Sequence, residues 1–232
     1  MGQDREDLGR DHPVTTLRIL AGGAAQPLVD RLRPELDFKI DGTFSAVGAM
    51  RDKLLAGEPA DLVILSRALV DGLAQSGHVV AASITDVARV ATAVAVRASD
   101  PKPPIGDKAV LAAALEAADE IHFPDPALAT AGIHFAKVMR DLGVWDRVQG
   151  RLKLAPNGNT AMRALAASTA RRPIGCTQET EIRATPGIVL VGPLPPGCDL
   201  TTVYTAAVTT TARAPAEATA FIDTCGKVGR IP

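Results

Sequence analysis

From Thr16 onward the chain alternates short apolar runs with longer stretches in which apolar residues recur every third or fourth position. The spacing predicts a strand over 16–21, a helix over 24–33 that Pro34 follows, and a strand over 36–40. The turn residues Asp41, Gly42 and Thr43 then lead into a helix reaching about residue 56, a buried strand over 61–65, and a helix over 66–75 closed by Gly77. Three strands alternating with three helices predict a parallel sheet with crossover helices. A long β-branched run over 86–96 reads as a strand passing from one lobe to another, with a stiff proline turn over 100–104 after it. A second set follows. It comprises a helix over 107–118, a strand over 120–123, a helix over 129–142, a strand over 151–155, a helix from Asn157 to about residue 170, and strands over 173–177 and 187–192. A last strand over 201–210 and a closing helix over 214–228 complete the pattern. The expected fold class is α/β, two-lobed, each lobe a mostly parallel sheet flanked by helices. The expected organisation is a flexible tail at 1–14, one lobe at 15–85 plus 195–232, a second at 86–194, and a ligand cleft between them.

Composition narrows the function classes. The 232 residues are 47% hydrophobic but only 3% aromatic, which suits strands and helices packed through small side chains and argues against disorder. A formal net charge of −1 without a basic run excludes the electrostatic footprint of a nucleic-acid binder. No apolar run approaches the roughly 20 residues of a membrane span, so no membrane insertion is expected. The polar amino terminus lacks the apolar core of a signal peptide. The chain as given therefore reads as cytoplasmic, or as periplasmic if a signal has been removed. Cys176, Cys198 and Cys225 are widely spaced and read as scattered core thiols, with no disulfide framework and no metal spacing.

The candidate chemistry lies where strands run into helices. Four such junctions are almost bare of side chains: Gly22, Gly23 and Ala24; Thr43, Phe44 and Ser45; Ala129, Thr130 and Ala131 behind the Asp125–Pro126 turn; and Asn157, Gly158 and Asn159. A helix start presents free N–H groups and the positive end of its dipole, so an uncovered start receives an anion directly. In an open parallel sheet these starts gather at the carboxyl ends of the strands. The expected ligand is a small anion held between the lobes.

The motifs resemble the type II periplasmic-binding-protein fold, in its molybdate-binding-protein-like branch. GTFSAVGAMRDKLLAGEPADLVILSRALVDGLAQSGHV is similar to that branch's hydroxyl-rich loop, helix and strand. FPDPALATAGIHFAKVMRDLGVWDRV is similar to its strand, DP turn and helix, and TTVYTAAVTTTARAPAEATAFIDT to its last strand and helix. The likeness runs over about residues 16–230. Where molybdate binders place serines, this chain has Gly22–Gly23 and Ala46–Val47–Gly48, and the branch's oxyanion-facing tyrosine is replaced around residues 176–179. Over 94–195 the chain is closer to a subgroup that includes bacterial aconitate isomerases, through VAVRASDPKPPI, DPALATAGIHFA, the stretch Gln178 to Glu181, and IVLVGPLP. That resemblance implies a proton shift along an allylic di- or tricarboxylate, without a cofactor. The broader one implies the solute receptor of an importer, with an ABC permease as partner if the chain is exported. Both remain open on sequence.

Candidate side chains follow from these chemistries. Ser66 and Arg67 stand at the end of the third strand and, with Gln178, are potential ligand contacts. Glu181 and Glu179, just past a strand end, are candidates for moving a proton, since a desolvated carboxyl titrates nearer neutrality. His122, inside an apolar strand, is a further titratable candidate, with a satisfied core histidine as its alternative reading. Arg97, Arg171 and Arg172 are possible cations. No nucleophile elbow, phosphate loop or dinucleotide fingerprint is present.

Overall fold

A computed structural model describes residues 15–227. The expected tail at 1–14 lies outside the described residues. The first βα set is β1 (Thr16–Gly22), α1 (Gln26–Leu32), β2 (Lys39–Ser45), α2 (Val47–Leu55), β3 (Leu62–Ser66) and α3 (Arg67–Gln75). β4 (Thr85–Arg97) leads to α4 (Lys108–Ala117), β5 (Glu120–Pro124), α5 (Thr130–Asp141), a short α6 (Trp145–Val148), β6 (Leu152–Ala155), α7 (Gly158–Ala167), β7 (Pro173–Gln178) and α8 (Glu179–Ala184). The chain ends in β8 (Ile188–Pro193), β9 (Thr201–Val208) and α9 (Pro215–Lys227).

The strands run in the order β2-β1-β3-β9-β4-β7-β5-β6, with β8 also on β4. β2, β1 and β3 are mutually parallel, as are β7, β5 and β6, while β9 joins antiparallel to β3. β4 belongs to both halves. Its residues Thr85 to Ala91 pair with β9, and Thr92 to Arg97 pair with β7 and β8. One core is built around Leu17, Ile19, Leu62, Ile64 and Phe221, and a separate one around Leu111, Phe123, Phe135 and Ile174. The two phenylalanine rings meet edge-on at 5.5 Å, the favoured arrangement of their quadrupoles.

Three local details position the site. Asp61, only 2% exposed, heads β3, and its carboxylate accepts from the N–H groups of Arg18 (2.8 Å), Arg213 (2.7 Å) and Ala214 (3.1 Å). It thereby ties β1 to the segment entering α9. Asp125 accepts from the N–H of Ala127 at 2.6 Å and of Leu128 at 3.2 Å, making the turn before α5. A side chain at Gly132 would stand 2.2 Å from the carbonyl oxygen of Pro124, so the bare first turn of α5 is what lets that helix seat directly on the end of β5.

Two expectations are corrected. The second strand does not occupy 36–40. A 3-10 turn at Arg33–Glu35, built on Pro34, takes up the chain first, and β2 then runs through Asp41, Gly42 and Thr43 to Ser45. Gly42 is tolerated there because the ring of Phe44 lies across it. The short helices α6 and α8 fall in stretches to which the sequence pattern assigns no element. Arg140 stacks over the ring of Trp145 at 4.2 Å and anchors the first of them.

Candidate functional site

Five helical starts converge on one point: the 3-10 turn Gly23–Ala25 and the first turns of α2, α5, α7 and α8. Only the Asn157 cap of α7 spends its side chain on the helix, accepting from the N–H of Thr160 at 2.9 Å. The other four starts carry no side-chain cap. The small cavity among them is lined by Gly23, Ser45, Ala46, Val47 and Tyr204 from one half and by Pro124, Ala129, Thr130, Ala131, Gly158, Thr177, Gln178 and Glu181 from the other. Its ≈ 20 Å³ accommodates about one water.

Glu181 stands at the centre. It is 5% exposed, and Thr177 Oγ1 donates to its Oε2 at 2.6 Å. The backbone N–H groups of Gln178 and Asn159 also serve the carboxyl. Burial outweighs these donors and pushes its pKa up to about 7. Glycines make the room: a Cβ at Gly158 would stand 1.9 Å from Oε2, and one at Gly23 would stand 2.5 Å from Oε1. Tyr204, 2% exposed, has its phenol pushed well above the usual range by burial and then by the charge of Glu181. Gln178 donates through Nε2 to Thr202 Oγ1 at 2.9 Å, and its buried Oε1 has no partner among the described residues.

Bonds between the halves close the cleft. Gly48 N–H donates to the Leu128 carbonyl (3.0 Å), Asn157 Nδ2 to Ser45 Oγ (3.3 Å), and Thr180 Oγ1 to the Ala24 carbonyl (2.9 Å). Val47 and Thr130 also border a larger outer chamber of ≈ 380 Å³ between α2, α3 and α5. A larger hollow, ≈ 690 Å³ between α4 and the 100–104 turn, is lined mostly by Ala and Pro and contains none of these groups. Size alone does not mark the site. Convergent polar groups and a perturbed carboxyl do.

Of the residues singled out from sequence, Gly23, Ser45, Ala129, Thr130, Ala131, Gln178 and Glu181 line the inner cavity. Asn157 and Asn159 reach it through their bonds to Ser45 and Glu181, Ala24 is bonded to Thr180 outside the lining, and Gly22 packs against Val47 and Tyr204. The rest lie elsewhere. Thr43 borders a separate hollow with Arg18 and Asp41, two residues back along β2 from the cavity. Phe44 packs on the core, and Ser66 borders the outer chamber. Arg67 turns to Asp71 (2.8 Å) and Asp86 (3.2 Å), and Glu179 to Arg183 (2.5 Å). His122 also stands apart. Its Nε2 meets Glu120 Oε2 at 3.0 Å, an oxygen that also takes the Ser168 hydroxyl at 2.6 Å, and burial lowers the imidazole pKa. Arg97 is held by Asp100 (2.7 Å) and Arg172 by Asp119 (3.2 Å). Among the described residues no Lys, Arg or His lines the inner cavity, and no cluster of acids, His or Cys offers a metal site. Sequence reasoning missed Tyr204 and Thr177. Tyr204 sits in the hydroxyl-rich β9 and is the single tyrosine of the chain, and Thr177 is the one hydroxyl of β7.

The sequence model of a family described as bacterial extracellular solute-binding protein matches residues 17–224. An aconitate isomerase of Pseudomonas is 27% identical over 222 residues, 90% of this chain and 82% of that protein. Among solved structures, the periplasmic molybdate-binding protein of Azotobacter vinelandii superposes with a TM-score of 0.74 at 18% identity, covering 90% of this chain and 92% of its own. The sulfate-binding protein SubI of Mycobacterium tuberculosis superposes with a TM-score of 0.72 at 20% identity, covering 91% and 81%. These likenesses show the two-lobed α/β fold expected from sequence.

Proposed function

The chain belongs to the family of bacterial extracellular solute-binding proteins, and on that premise we propose that it closes two lobes around a small organic carboxylate and isomerises it by an allylic proton shift. The lobes are taken as 15–85 with 195–232, and 86–194; within the sheet the crossing falls inside β4, whose residues 85–91 pair with β9 and 92–97 with β7 and β8. The observation that carries the reading is the position of Glu181. A receptor that only holds an anion gains nothing from a carboxyl at the focus of its donors, because the ionised form repels the ligand. A proton carrier needs one there. With a pKa of about 7, Glu181 is present in both protonation states at neutral pH, the condition for effective acid–base exchange.

The step balances within the site. The Glu181 carboxylate takes a proton from the methylene between a carboxylate and the C=C bond. The electron pair left behind spreads over the three allylic carbons and into the adjoining carboxylate. The uncapped N–H groups stabilise that growing negative charge, the kind of preorganised donor set on which removal of one member costs about 10²-fold or more. Protonated Glu181 then returns the proton to the far allylic carbon. One C–H bond breaks, one forms, the double bond moves, and no cofactor is consumed. The Pseudomonas relative, an aconitate isomerase, supports this chemistry and points to aconitate as the first compound to test.

A second reading is supported by the family itself and by the molybdate- and sulfate-binding neighbours: a receptor delivering its anion to an ABC permease. The family description and the periplasmic neighbour support a place of action outside the cytoplasmic membrane. Among the described residues no helix is long and apolar enough to cross a membrane. NMR of the purified chain with cis- or trans-aconitate separates the readings. Interconversion that Glu181→Gln abolishes upholds the first. Thermal stabilisation by molybdate or sulfate without any turnover of aconitate replaces it with the second.

A further inference from the structure

The inner cavity and the outer chamber differ in what they offer a ligand. The inner one supplies N–H groups, hydroxyls and Glu181, and holds about one water. The outer one is ≈ 380 Å³, within the range of ordinary ligand sites, and shares Val47 and Thr130 with the inner one as a common wall. Leu69, Leu128 and Ile133 form its apolar walls, and Ile133 is 48% exposed, an apolar side chain left uncovered inside a cleft. Two cations border it from opposite halves, Arg51 on α2 and Lys137 on α5. Thr130, Ile133, His134 and Lys137 follow the i, i+3, i+4, i+7 spacing and so share one face of α5, which runs from the inner cavity outward. Lys137 lies seven residues, or about 10 Å, along the helix from Thr130, and its ammonium is turned to Asp141 one turn further on. Its partner Asp141 and the Asp52 partner of Arg51 are exposed pairs on the same helix, the kind that contributes little and exchanges readily.

We propose that this outer chamber is a second carboxylate subsite, in which Arg51 and Lys137 hold the remote carboxylate of a carbon-chain ligand whose reacting end sits beside Glu181. The inference rests on the isomerase reading and names the residues that would grip the far end of its ligand. The carbon chain crosses Ile133 and Leu128, and the remote carboxylate meets one cation from each lobe, so the ligand itself holds the lobes shut. A tetrahedral oxyanion is too short to reach both chambers.

The test is calorimetric titration of the full chain with trans-aconitate, a tricarboxylate, and crotonate, an unsaturated monocarboxylate that fills only one subsite. Each of Arg51→Gln and Lys137→Gln is expected to raise the trans-aconitate Kd about tenfold, the size of one charge-assisted bond. The pair together is expected to raise it further than either alone, by an amount that reports their coupling through the shared carboxylate, with crotonate changing less than about twofold. Unchanged trans-aconitate binding in the double variant overturns the subsite. So does an equal loss for crotonate, which would reveal general attraction and no specific grip. If the unsubstituted chain binds molybdate and neither carboxylate, the isomerase reading fails and takes this inference with it.

Discussion

Thr177 Oγ1 donates to Oε2 of Glu181 at 2.6 Å across the junction of β7 and α8. The bond favours the charged carboxylate and opposes the effect of burial, which is the larger of the two. Thr177→Val removes the hydroxyl while keeping the shape, so the Glu181 pKa is expected to rise further above about 7. The ascending limb of the pH–kcat/KM profile for aconitate then moves to higher pH. A profile that stays in place would show that Glu181 is not the group titrating in the reaction.

The same carboxyl makes stability depend on pH. Its folded pKa of about 7 lies above the ordinary value of 4.5, so between these two pH values the folded chain holds a proton that the unfolded chain has released. Stability from this group is therefore full below about 4.5, falls as pH rises, and levels off above about 7. The shift corresponds to about 3 kcal/mol. Glu181→Gln is expected to be more stable than the parent at pH 8 by up to that amount and level with it at pH 4.5, as urea melts at the two pH values will show.

Gly158→Ala places a methyl group where Glu181 Oε2 now sits, at 1.9 Å. The carboxyl must swing out of its donor set, and aconitate turnover is expected to fall at least about a hundredfold. Folding suffers less, because alanine is the better helix former by about 1 kcal/mol. Gly72→Ala in α3, where an added Cβ meets nothing within 4 Å, is the control. It is expected to stabilise by about 0.5–1 kcal/mol and to leave turnover alone.

Asp61→Ala leaves three N–H groups, the buried one of Ala214 and the partly buried ones of Arg18 and Arg213, without their acceptor. A loss of about 3 kcal/mol or more is expected, since orphaned donors cost about 1–3 kcal/mol each and relax only in part. Chemical denaturation measures it. A loss under about 1 kcal/mol would mean that water replaces the carboxylate.

Most of the architecture was legible because alternating apolar periods and glycine or proline stops are local signals. The bare junctions at Gly23, Ala129 and Gly158 could be read as anion-facing because absence of a side chain is itself visible in a sequence. What stayed hidden depends on long-range packing. Phe44 and Thr43 became part of an edge strand through pairing with β1, a partner that no local pattern identifies. His122 looked like a site residue, yet Glu120, itself held by the Ser168 hydroxyl, claims it within the second lobe. Tyr204 comes to the cavity on β9, the strand that returns from the second lobe to pair with β3 and β4, far in sequence from every other lining residue of its half. Glu181 was legible as an acid at a strand end. That it sits between glycines of opposite lobes was not.

The crossing strand has a mechanical consequence. The backbone passes between the two halves along β4 and returns between β8 and β9, and two tethers side by side leave essentially one axis of rotation. On the proposed function, release of product is expected to follow that swing. Residues such as Thr92 and Leu194, joined by the amide of the return segment at 3.1 Å, lie on the axis itself. Stiffening that pair would slow turnover at the exit step while leaving the bond-making events untouched.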